Sequence, residues 1–100
     1  MMNERIKKAE NLLKEIAEII HREIEDHADE VEKIASRLEV NPEEYKALMV
    51  AEVVSSSEIY VGVQFAFPPT QTHTPEDLKN KALKLLEKKL RRDCRLYLTA

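Results

Sequence analysis

The stretch Glu58-Ile59-Tyr60-Val61-Gly62-Val63-Gln64-Phe65-Ala66-Phe67 decides how the chain is read. Ile59, Val61, Val63, Phe65 and Phe67 alternate onto one side, with Tyr60, Gly62, Gln64 and Ala66 on the other. A period of two with β-branched and aromatic residues is the pattern of a half-buried strand. Gly62 would let another backbone approach closely. Pro68-Pro69 stops the run. Downstream, Thr74 caps and Pro75 opens a helix, with Leu78, Ala82, Leu85, Leu86 and Leu90 as its buried stripe. Residues 94–99, with Leu96 and Leu98, read as a second short strand. Strand, helix, strand suggests a right-handed crossover with parallel strands. Two strands make a poor sheet with open edges, so a second copy is expected to complete it.

Upstream, Ser55-Ser56-Ser57 reads as the end of a helix that starts at Asn41-Pro42. Asn41 is its cap, Pro42 its first residue, and Glu43 and Glu44 sit at the positive end of its dipole. Tyr45, Leu48, Met49 and Val53 lie on one side, and Ala47, Val50, Ala51 and Val54 on another. A helix apolar nearly all round is expected to be buried. Before it, Ile6, Ala9, Leu13, Ile16, Ala17, Ile20, Ile24, Ala28, Val31, Ile34, Ala35 and Leu38 fall within roughly 60° of one line at ~100° per residue. Among them Ala9, Leu13, Ala17, Ile20, Ile24, Ala28, Val31 and Ala35 step by 4, 4 and 3, an eleven-residue repeat that favours a nearly straight or slightly right-handed helix. The spacing predicts one helix, unbroken or merely bent, over residues 3–38. Asp29 with Glu32 resembles a helix-start box and offers a break at 26–29 instead. Unbroken, the helix would be ~54 Å long, longer than the rest of the chain can cover.

The reading is therefore a single α+β domain over residues 1–100. A helical hairpin (1–57) precedes a β-α-β unit (58–100), and two copies pair through the helix stripe, the strand edges or both. The high charged fraction with a single Gly suits a helix-rich protein and fits a thermophile's charged surface. The lone Cys94 excludes an intrachain disulfide and points to a reducing compartment. No apolar run approaches the ~18 residues of a membrane span, and residues 1–5 lack a signal peptide's apolar core. A cytoplasmic protein without a membrane partner is expected. Charge is uneven along the chain. Residues 1–58 hold 15 acids and 8 bases, net −7, whereas residues 70–100 hold 4 acids and 8 bases, net +4.

Few residues suggest chemistry. Glu52 stands among Leu48, Met49 and Val53, and a buried carboxylate needs a partner or a raised pKa. Pairing with Lys or Arg at the core's edge is the plainer reading. His27 falls on the apolar stripe, where a core or interface role is weighed against a ligand or pH-switch role. Thr72, His73 and Thr74 lie in a loop between strand and helix, a place where α/β units bind anions. A capped structural loop is the alternative, and Glu76 and Asp77 already occupy that helix end.

Three local resemblances accompany these residues. Ala35, Val40 and Asn41-Pro42, within residues 28–55, resemble the helix-turn-helix pattern of DNA-binding proteins, although Glu39 stands where that family often has Gly. The resemblance implies DNA binding, yet the would-be recognition helix opens with two acids. Glu18-Ile19-Ile20-His21 resembles the Glu-x-x-His of di-iron bundles. Glu15 and Glu18 resemble the Glu-x-x-Glu of helical nucleotide pyrophosphatases, but these carboxylates face away from the stripe. No catalytic residue, metal site or cofactor is assigned. The leading expectation is a homodimeric structural or protein-interaction module without catalysis. The alternatives are a nucleic-acid-binding regulator, through residues 28–55 or the basic third helix, and a small metal-dependent hydrolase.

Overall fold

A computed structural model describes residues 2–66 and 74–99, with side chains described over 4–62 and 74–95. It contains four α-helices: α1 (Met2–Asp26), α2 (Ala28–Arg37), α3 (Pro42–Ala66) and α4 (Pro75–Thr99). No strand occurs among the described residues. The α+β expectation, its β-α-β unit and its sheet edges are therefore corrected to an all-α fold.

The decisive stretch is helical because α3 never stops at the serines. Tyr45, Met49, Val53, Ser57 and Val61 are all buried and recur every fourth residue, one side of a single helix. Ser57 fits that side because its hydroxyl donates to the Val53 carbonyl one turn back, at 2.8 Å. Its polarity is satisfied within the helix. The alternation of Ile59, Val61, Val63 and Phe65 is overridden by this longer register; Phe67 lies outside the described residues. Nothing breaks α4 before residue 94 either, so the second expected strand is its last turns.

The first rod is divided. His27 leaves helical geometry at φ −117° and ψ 31°, between α1 and α2. The backbone ladder nearly bridges it: the His27 amide reaches the Glu23 and Ile24 carbonyls at 3.2 Å, and the Val31 amide reaches the His27 carbonyl at 3.1 Å. Asp26, His27 and Asp29 are weak helix formers among like charges. The expected start box is displaced: His27 is the N-cap, and Asp29 and Glu30 fall in the first turn.

Contacts give the helix directions. Glu15 pairs with Lys79, and Cys94 lies beside Arg37, so α4 runs parallel to α1–α2. Tyr45 meets Asp93 and Tyr60 meets Lys81, so α3 runs antiparallel to α4. The bundle measures 49 × 22 × 17 Å. Its core joins Ile16, Ile20, Ile24 and Val31 with Met49 and Val53 of α3 and Ala82 and Leu86 of α4. The stripe expected to need a second copy is thus covered largely within one chain.

The turns follow the sequence closely. Asn41 Oδ1 accepts from the Glu43 and Glu44 amides at 2.9 and 3.2 Å. Thr74 and Asp77 exchange reciprocal bonds of 3.0 and 3.2 Å at the start of α4. Between α2 and α3, the Val40 amide reaches the Ala35 carbonyl and the Glu39 amide the Ser36 carbonyl, at 3.0 and 3.2 Å. This Schellman closure puts Glu39 at φ 58°.

Candidate functional site

The residues singled out for chemistry are dispersed. Glu52 is partly buried on the α3–α4 seam, where its carboxylate lies 3.3 Å from Arg92 and 3.6 Å from Lys89. It is neutralised at the edge of the core, the plainer of its two readings. Thr74 is the cap of α4, and its hydroxyl is committed to the Asp77 amide. Thr72 and His73 lie outside the described residues. Along α4 roughly 15 residues separate Thr74 from Lys89, about 22 Å at 1.5 Å each.

His27 is exposed, because the interruption it occupies takes it out of the stripe that passes through Ile24 and Val31. Its Nδ1 lies 3.1 Å from the Glu23 carbonyl oxygen and 3.5 Å from the Glu23 carboxylate. The backbone bond to Glu23 is the main cause of a pKa above the ordinary 6.5; desolvation opposes it, and the Glu23, Glu30 and Asp26 carboxylates add to the rise. The ring rims a groove of about 390 Å³ between the interruption and α4, floored by Ile24, Val31, Ile34, Leu83, Leu86 and Leu90. Glu15, Glu18 and His21 are exposed, and Glu15 pairs with Lys79. Among the described residues no three His, Cys, Asp or Glu side chains are grouped to hold a metal.

The most connected polar group on the seam was not foreseen. Buried Tyr45 donates to Asp93 Oδ2 at 2.5 Å, and Asp93 Oδ1 accepts from Arg92 Nε at 2.9 Å. Arg92 continues to Glu52, tying α3 to α4. Burial, then the bond to Asp93, pushes the Tyr45 phenol far above its ordinary value. With both partners buried and satisfied, this is a structural clasp. Its signal in the sequence was Asp93 on the apolar side of α4, one turn past Lys89.

Two surfaces remain. The first is the outer side of α3, where Ala47, Leu48, Ala51, Ser55, Ile59 and Gly62 are exposed. Leu48 is 52 % and Ile59 70 % exposed, although the sequence led to a helix buried on all sides. The second is the outer ridge of α4, where exposed Lys81, Lys84, Lys88, Arg91, Arg92 and Arg95 crowd together. The helix-turn-helix-like segment does form two helices around a tight turn, but exposed Glu43 and Glu44 open α3. Among the described residues no helix is long and apolar enough to cross a membrane. Compared with protein-family models, curated proteins and solved structures, the chain matches none of them.

Proposed function

We propose that the protein is a non-catalytic interaction module whose partner is a second copy of itself, seated on the outer side of α3. The observation that supports this reading is Gly62. Among the described residues of one copy, a Cβ built there meets nothing within 4 Å. Glycine inside a helix costs about 1 kcal/mol relative to Ala, and the described residues of one copy give no reason for it.

A second copy supplies the reason. Leu48, Ala51, Ser55, Ile59 and Gly62 step by 3, 4, 4 and 3 along one side of α3. If two α3 helices pair antiparallel about Ser55, Leu48 falls opposite Gly62 and Ile59 opposite Ala51. Each large side chain meets a small one, and the backbones approach closely. A two-fold axis uses each contact twice. The face is only ~21 Å long, near the low end for specific interfaces, so micromolar association is expected. The exposed thiol of Cys94 suits a reducing, cytoplasmic setting for such a module.

Sedimentation across micromolar concentrations tests the pairing. Dimer is expected, and Leu48→Glu with Ile59→Glu is expected to abolish it while leaving helical content intact. Orientation is read in a Cys94→Ser background with a short bis-maleimide. Leu48→Cys mixed with Gly62→Cys should cross-link, and Leu48→Cys alone should not. Cross-linking of Leu48→Cys alone would establish a parallel pair and overturn the register; a monomer at all concentrations would overturn the reading itself.

A further inference from the structure

We infer that the outer ridge of α4 is a docking strip for the phosphate backbone of a nucleic-acid duplex. Lys84, Lys88, Arg91 and Arg95 step by 4, 3 and 4, so they lie within about 40° of one line opposite buried Leu86. The strip is ~17 Å long, the axial span of about five phosphates of one strand. All four side chains are exposed. Lys84 and Lys88 make no ion pair or hydrogen bond among the described residues. Among the described residues Arg91 is held only by exposed Glu87, and such a pair is weak enough to exchange for phosphate.

The surroundings narrow the ligand class. An interfacial membrane helix needs its apolar side available, but Leu78, Ala82 and Leu86 are buried in the bundle. A single strand is held by stacking on aromatic rings, and residues 75–95 contain none. Tyr97, two residues past Arg95, is the one ring in the sequence of α4, and Tyr60 of α3 is already covered by the Lys81 ammonium at 3.8 Å. A regular row of long, flexible cations fits a regular row of phosphates. Acid-rich α1 and α2 restrict contact to this one side of a chain whose net charge is −3. Nothing on the ridge is placed to read base edges, so binding is independent of sequence.

The test uses the full chain and a labelled, short mixed-sequence DNA duplex, read by fluorescence anisotropy over about 25 to 200 mM salt. Log affinity is expected to fall with log salt at a slope near −3 to −4, the value for about four phosphate contacts. Lys84→Glu with Lys88→Glu should weaken binding at least about tenfold and flatten the slope by about 2. Lys7→Glu with Lys8→Glu, the same charge change on exposed positions of α1, should weaken it far less. Circular dichroism confirms that each variant is folded. Equal loss from both variants, no binding at the lowest salt, or tighter binding to anionic vesicles or to single strands would overturn the proposal.

Discussion

Glu39 carries a left-handed backbone that costs a non-glycine residue about 1 kcal/mol, and the turn between α2 and α3 requires it. Glu39→Gly removes that strain but loosens the unfolded chain, so a net gain of about 0.5 kcal/mol is expected as a higher melting temperature. At Tyr45 the sign is reversed. Tyr45→Phe removes one of the partners of buried Asp93, and a loss of about 2 kcal/mol is expected in denaturant titration near neutral pH. The raised phenol pKa adds a pH signature. The folded state keeps the proton after the unfolded chain has lost it, so this contribution is whole below pH 10.0 and declines as pH rises above it. The stability of the Tyr45→Phe variant should therefore fall less steeply than wild type above that pH.

At the scale of elements, the caps were legible because they are local. Asn41 and Thr74 set their helix starts through bonds to residues two or three positions away, and Pro42 and Pro75 through a fixed φ at the first helical position. The end of α3 was not legible, because two periodicities overlap in residues 58–67. The alternation is local and conspicuous; the stripe of Tyr45, Met49, Val53, Ser57 and Val61 is longer and contains a serine. Longer register prevailed, since a buried hydroxyl costs little once bonded to the turn below. Glycine inside this helix leads to a direct check. Gly62→Ala should stabilise the isolated chain by about 1 kcal/mol when thermal unfolding is followed at submicromolar concentration.

At the scale of the molecule, the first rod does not project from the fold, so its length alone does not require a partner. Antiparallel α3 and parallel α4 lie along that rod and cover its stripe. Of the candidate residues, Glu52 was legible as an edge carboxylate, because its charge demanded a cation within reach. His27 was misplaced, because a wheel drawn through 3–38 assumes no residue leaves the helix. The exposed side of α3 was visible as apolar, but which side faces out depends on where α1 and α4 settle, and that is a tertiary matter.

The interruption at His27 has a consequence for how the bundle opens. With only ten residues, α2 falls below the length at which a helix holds itself together in water. Its protection from solvent deuterium must come from Val31 and Ala35 packed beneath it. Amide exchange is expected to divide the first rod into two cooperative units, α2 opening well before the α1 amides around Ile16–Ile24. A single exchange rate shared across the junction would mean that the rod opens as one piece.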